Sequence, residues 1–177
     1  MPYAYISIGS NINPAENVLE SLRLLAQQVR IVNISTVYLT EAIDRPKQPK
    51  YYNNVIAIET QQSPADLKYN ILRLIETKLG RERTEDKSAP RPIDLDILVY
   101  DDTVIDSPEI ILPDPQILNR AFIAIPLYEL APNLLIPKYN ILIKDIAVTM
   151  YTARMQPLEE YTQMLRKEFI NNAKKEY

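Results

Sequence analysis

The sequence predicts an α+β fold on an antiparallel sheet, and three observations point to it. Four stretches read as strands from alternation or β-branched content: residues 3–8, 30–40, 51–60 and 91–100. Two stretches between them carry apolar residues at helical spacing, and each opens on a capping residue followed by Pro. The elements fall in the order β-α-β-β-α-β, the split βαβ or ferredoxin-like arrangement. That order implies four antiparallel strands with both helices on one face. The other face is left for a ligand or for further elements.

The first strand alternates weakly and runs into a turn at Gly9-Ser10-Asn11. Asn13-Pro14-Ala15-Glu16 reads as a helix start, with Asn as N-cap, Pro in the first helical position and Glu in the third. Val18, Leu22, Leu25 and Val29 then mark one helical face. Ile31, Val32, Ile34, Thr36 and Val37 carry the next strand, and 44–49 is a polar loop with two prolines. Ser63-Pro64-Ala65-Asp66 opens the second helix, with Leu67, Ile71, Leu74 and Lys78 on one stripe and Gly80 as its C-terminal cap. A charged loop, 81–92, leads into the last strand of the series. Beyond it, 101–116 reads as a hairpin and 117–130 as a partial helix interrupted by Pro126. Residues 157–175 form a charged amphipathic helix starting at Pro157, with Leu158, Tyr161, Leu165 and Phe169 on its stripe. No repeat, low-complexity run or convincing boundary divides the chain. The expected organisation is one domain over 1–156 with an amphipathic helical tail over 157–177.

Composition narrows the chemistry. With 177 residues, 46% hydrophobic and 24% charged, the chain suits a globular domain with a real core. A net charge of −3 gives no general attraction to nucleic acid or anionic membrane. No signal peptide is read at the start, and no apolar run approaches the ~18 residues of a membrane span. The absence of Cys fits a cytoplasmic location, which is the expectation. The absence of His removes an imidazole base, a Ser-His-Asp triad and imidazole metal ligands. Any metal site must then be built from oxygen, which favours Mg²⁺, Mn²⁺ or Ca²⁺ over Zn²⁺. Gly9 and Gly80 are the only glycines, so no Gly-rich phosphate loop can be written. Phosphate must be held by side chains, helix ends and metal.

The richest segment is Arg91-Pro92-Ile93-Asp94-Leu95-Asp96-Ile97-Leu98-Val99-Tyr100. Read as a strand, it turns Ile93, Leu95, Ile97 and Val99 to one face and the paired carboxylates of Asp94 and Asp96 to the other. Adjacent carboxylates repel unless a cation lies between them, and Mg²⁺ is the natural candidate. Arg81, Arg83, Lys87 and Arg91 lie within eleven residues upstream. Cations beside a carboxylate pair suit phosphoryl transfer. Taken singly, the pair also fits a solvated strand face, and the loop, where Glu82, Glu85 and Asp86 interleave, a solvated charge run. Tyr51-Tyr52-Asn53-Asn54 fits stacking and hydrogen bonding to a flat heterocycle, and equally plain strand propensity. Phe122, just after Arg120, alone reads as core packing.

The motifs in series resemble the 6-hydroxymethyl-7,8-dihydropterin pyrophosphokinases of folate biosynthesis over about residues 3 to 137. The resemblance rests on Ala4-Tyr5-Ile6-Ser7-Ile8-Gly9-Ser10-Asn11, Val37-Tyr38-Leu39-Thr40 and Tyr51-Tyr52-Asn53-Asn54-Val55. It continues through Ile75-Glu76, Gly80-Arg81-Glu82-Arg83 and Ala89-Pro90-Arg91-Pro92-Ile93-Asp94-Leu95-Asp96-Ile97-Leu98. It closes on Asn119-Arg120-Ala121-Phe122 and Pro126-Leu127-Tyr128-Glu129-Leu130-Ala131-Pro132. The family has the ferredoxin-like fold and moves pyrophosphate from ATP to the hydroxymethyl oxygen, releasing AMP. The resemblance implies that Asp94 and Asp96 hold two Mg²⁺ ions and that Arg81 and Arg91 neutralise the phosphates. Glu76, Arg83, Ile97 and Arg120 are then expected at ATP. Asn11, Thr40, Ile43, Tyr51, Asn53 and Phe122 are expected at the pterin, with Tyr51 and Phe122 enclosing the ring. The expected ligands are the pterin and ATP, with neither nucleic acid nor membrane, and the expected state is a monomer.

The chain departs from the family at three points. Asp114 stands where the family has a His at the ATP phosphates, Ser88 replaces an aromatic of the catalytic loop, and Ala89 replaces a Gly. They leave an alternative, a homologue altered in nucleotide handling that serves as a pterin-binding or regulatory module. A βαββαβ RNA-binding module fits poorly, because the chain is net acidic and offers no Gly in a predicted strand core.

Overall fold

A computed structural model describes residues 1–151 and 154–171 of the chain. Six strands form one sheet: β1 (Tyr3–Ser10), β2 (Arg30–Ile34), β3 (Tyr38–Thr40), β4 (Tyr51–Glu59), β5 (Asp94–Tyr100) and, late in the chain, β10 (Gln156–Pro157). The order is β10-β3-β4-β1-β5, with β2 also on β4, and every pairing is antiparallel. Two short hairpins come after β5: β6 (Ile105–Asp106) with β7 (Ile111–Leu112), and β8 (Leu135–Ile136) with β9 (Ile141–Leu142). The expected α+β, ferredoxin-like order is therefore present, and the hairpin read within 101–116 forms.

The predicted strand 30–40 is two strands. Val55 N–H donates to the Ser35 hydroxyl at 2.9 Å, so a side chain replaces the backbone partner and the ladder breaks between β2 and β3. Gly9 is not a turn residue; it lies inside β1, paired with Asn53 on one side and Asp94 on the other. β5 also departs from strict alternation. Tyr5 pairs with Val99 but Ile6 with Ile97, so Leu98 is an extra residue, a β-bulge. Val99 is thereby turned away from the face of Ile93, Leu95 and Ile97.

Helix α1 (Pro14–Ala26) buries Val18, Leu22 and Leu25 as its spacing requires. Asn13 precedes it in a left-handed conformation and makes no side-chain cap, contrary to its expected role as N-cap. Helix α2 spans 64–78 as Pro64–Asp66, a π-helical stretch Leu67–Leu72, and Arg73–Lys78. Ser63 caps it, its hydroxyl accepting from Asp66 N–H at 3.1 Å. An i→i+5 turn takes an extra residue, so the later turns of the helix lag by about one residue, roughly 100° around the axis. That corrects the predicted stripe: Leu74 is 61% exposed, while Ile75 and Glu76 are buried.

α1 and α2 cover one sheet face, where Ile6, Ile8, Leu22, Ile56, Leu67 and Leu95 are fully buried together. The other face is half covered by α3 (Ala121–Leu130) and α4 (Ile143–Ala147), around Val55, Leu98, Ile123 and Leu127. α3 runs through Pro126 rather than stopping at it. The tail helix α5 (Glu159–Arg166), continued by a π-helical Lys167–Asn171, begins after Pro157, which belongs to β10; residues 172–175 of the predicted helix lie outside the described residues. Leu165 is fully buried against the α1/α2 side. Among the described residues no helix is long and apolar enough to cross a membrane.

Candidate active site

The uncovered half of the second face holds the site, and the sheet register builds it. Asn53, Gly9 and Asp94 form one row across β4, β1 and β5, and Val55, Ser7 and Asp96 form the next. Residues in register point to the same face. With no side chain on Gly9, a gap opens between Asn53 and Asp94. A Cβ there meets Asn53 Oδ1 at 2.8 Å, which explains a glycine inside a central strand.

Beside that gap, arginines surround the carboxylates. Glu76 is 2% exposed. Its Oε1 accepts from Arg73 (2.9 Å), Arg81 (2.7 Å) and Leu95 N–H (2.9 Å), and its Oε2 from Arg83 (2.9 Å). A buried carboxylate is tolerable only when so satisfied. Arg81 Nη1 also reaches Asp94 Oδ1 at 2.5 Å, and Arg91 Nη1 reaches Asp94 Oδ2 at 2.7 Å. Arg73 Nη2 reaches Asp96 Oδ1 at 3.2 Å. The helix end delivers Arg81. Gly80 takes φ +88°, with bonds from Gly80 N–H to Thr77 O and from Arg81 N–H to Glu76 O, both 3.0 Å. The π-helical stretch turns Arg73 and Glu76 inward.

These surroundings separate the two aspartates. Burial pushes Asp94 up, but Arg81 and Arg91 outweigh it and hold its carboxyl below the usual range. Burial pushes Asp96 up, the Asp94 charge adds to that, and Arg73 only partly compensates, leaving it at about 7. Burial lifts the Tyr51 hydroxyl, with Arg91 opposing.

Two cavities meet at Asp96. The first, about 250 Å³, is lined by Tyr51, Asn53, Phe122, Arg91, Asp94 and Ile43 among others. The second, about 310 Å³, lies between α2 and the β6–β7 hairpin and is lined by Lys68, Arg73, Ile97, Leu112 and Asp114 among others. Asp96 and Gln116 line both.

Several expected residues are brought together at the first cavity, but others are used differently. Asn11 does not line it. Its amide donates to Gln48 Oε1 and Pro49 O, both at 3.3 Å, and its Oδ1 accepts from Arg91 N–H at 2.8 Å, so it joins the loops 41–50 and 81–92. Thr40 stands behind the cavity, its hydroxyl accepting from Asn53 Nδ2 at 2.7 Å. Arg120, expected at ATP, lines the first cavity. Glu76 and Arg83 line neither; Glu76 is consumed as the anchor of three arginines, and Arg83 is bound to it.

Asp114 lines the second cavity and caps the 3₁₀ turn Pro115–Leu118, its Oδ1 accepting from Gln116 N–H at 2.9 Å. Burial pushes its carboxyl up, opposed by those Gln116 hydrogen bonds. Sequence reasoning missed Arg73 and Lys68. A regular α-helix carries its stripe through Leu74, and the π-helical stretch turns Arg73 to the cavity.

Among the described residues, no three Asp, Glu, His or Cys residues converge as a metal site. The Asp94/Asp96 pair fits Mg²⁺ in kind, because that ion commonly takes one or two carboxylates and completes its shell with water and substrate phosphate.

Fold and site together define an α+β protein with an antiparallel sheet and a carboxylate and guanidinium centre beside two cavities. The sequence profile of the 7,8-dihydro-6-hydroxymethylpterin-pyrophosphokinase family matches residues 5–132, and the chain belongs to that family. It is 35% identical over 142 residues to the 2-amino-4-hydroxy-6-hydroxymethyldihydropteridine pyrophosphokinase of Haemophilus influenzae, covering 78% of this chain and 88% of that one. It is 33% identical over 173 residues to the folic acid synthesis protein fol1 of Schizosaccharomyces pombe, covering 96% of this chain but only 23% of that one. In fold it is similar to the HPPK-DHPS of Plasmodium falciparum, with a TM-score of 0.68 at 14% identity over 85% of this chain and 43% of the other.

Proposed function

We propose that this protein transfers the pyrophosphoryl group of ATP to the hydroxymethyl oxygen of 6-hydroxymethyl-7,8-dihydropterin and releases AMP, a step of folate synthesis. Family membership supports the reaction. The observation that carries the reading is the meeting of two cavities at Asp96, the first holding Tyr51, Phe122 and Asn53 beside Arg91, and the second holding Lys68 and Arg73.

In this reading Tyr51 and Phe122 enclose the pterin, Asn53 bonds its edge, and Thr40 fixes the Asn53 amide. Arg120 and Ile43 complete that cavity. The nucleotide takes the second cavity, with its ring on Ile97 and its phosphates toward the shared wall. Asp94 and Asp96 would hold Mg²⁺, which supplies positive charge to the phosphates and acidity to the attacking hydroxyl. The oxygen–β-phosphorus bond forms, the bond from that phosphorus to the oxygen bridging to AMP breaks, and the hydroxyl proton leaves to water. No protein base is required, consistent with the absence of His. The chain's own work is alignment and charge: Arg81 and Arg91 grip Asp94 beside the shared wall and would offer positive charge to the β- and γ-phosphates, and Glu76 holds Arg81 in place.

Phosphorus NMR of the protein with MgATP, with and without the pterin, tests this. AMP formed only with the pterin is the expected result. ATP left intact while the pterin's fluorescence still reports binding favours the alternative of a pterin-binding module.

A further inference from the structure

Arg73 is an unusual neighbour for a metal ligand. Both oxygens of Asp94 are taken by arginines held elsewhere as well, Arg81 by Glu76 and Arg91 by the Lys87 carbonyl. Asp96 has one guanidinium, that of Arg73, at 3.2 Å, the longest ion pair of the centre. The other Arg73 terminal nitrogen is held independently, by Glu76 at 2.9 Å and the Leu95 carbonyl at 3.0 Å. Release from Asp96 therefore leaves the side chain anchored, with a free nitrogen on the second cavity beside Lys68. A dication and a guanidinium on one carboxylate repel each other, so the two compete for Asp96.

We propose that Arg73 is the resident counter-ion of Asp96: a divalent metal gains that carboxylate by displacing it, and the displaced guanidinium turns to the polyphosphate. Arg73 thus makes metal entry conditional on nucleotide. The inference rests on the assignment of Asp94 and Asp96 to the metal.

Mn²⁺ titration of the full-length protein without nucleotide, read by the EPR signal of free Mn²⁺, tests the first half. Arg73→Gln is expected to tighten Mn²⁺ binding about tenfold or more. Arg73→Met, which keeps the packing of the stem, behaves alike, and Arg73→Lys, which keeps the charge, stays within about threefold of the parent. Unchanged or weaker binding in the Gln and Met variants overturns the inference, as does equal tightening in all three. Binding of α,β-methylene-ATP at saturating Mg²⁺, where Asp96 is already taken by the metal, tests the second half. Arg73→Gln is expected to weaken it about fivefold, and no change overturns the transfer to phosphate. Asp96→Asn serves as the control: Mn²⁺ binding equal to the parent's means that the metal assignment itself is wrong.

Discussion

Asp94 and Asp96 share a strand face, yet their surroundings move them in opposite directions. Asp94, gripped by two arginines, stays ionised below the usual carboxylate range and so stabilises the native state above its unfolded value of 3.8; that contribution is lost as pH falls through its lower native value. Asp96 is raised to about 7, so between pH 3.8 and 7 the native state holds a proton that the unfolded chain has released. Stability from this residue falls as pH rises through that window. In metal-free buffer, Asp96→Asn should therefore melt higher than the parent at pH 8, by on the order of 1 kcal/mol after solvent screening. The gain should vanish near pH 4, and an equal difference at both pH values would contradict the assignment. At this scale the sequence exposed the acid pair and the cations but not which cation meets which acid. Arg73 was invisible because its partner Asp96 lies 23 residues away.

Elements decide where those residues point. The π-helical stretch in α2 re-aims Glu76 and Arg73, and the bulge at Leu98 turns Val99 to the opposite face. Neither is written in hydrophobic spacing, which is why the stripe through Leu74 and the uniform face of β5 were misread. Gly9 shows the same limit: a glycine beside Ser and Asn reads as a turn, and only the register reveals that Asn53 fills its Cβ space. Gly9→Ala should drive the Asn53 amide from its place and weaken pterin binding about tenfold, the worth of one buried hydrogen bond, with nucleotide binding unchanged. Fluorescence titration with the pterin, and calorimetry with the nucleotide, separate the two effects.

At the scale of the molecule, the sheet is a partition. One face is sealed by α1 and α2; the other is half sealed by α3 and α4, and the site occupies the remainder. The strand and helix order was legible, because alternation and capping recur in each element. The coverage of the second face was not, since it depends on contacts distant in sequence. The tail joins the sealed side: Val37 N–H donates to Thr162 Oγ1 at 2.9 Å and Arg166 Nε to the Ile34 carbonyl at 2.9 Å, closing the break between β2 and β3. Leu165→Ala should cost about 2–4 kcal/mol, lowering the melting temperature by roughly 5–15 °C while leaving both ligand affinities nearly unchanged. A loss below about 1 kcal/mol would mean that the tail is only loosely attached.

In the proposed reaction Asp96, where the two cavities meet, serves the chemistry rather than the fold. The direct measurement is AMP release by Asp96→Ala with MgATP and 6-hydroxymethyl-7,8-dihydropterin, alongside its thermal melt. A variant that folds, still binds pterin within a few-fold and releases no AMP is the expected result. Turnover near that of the parent protein would contradict a role for Asp96 in the reaction.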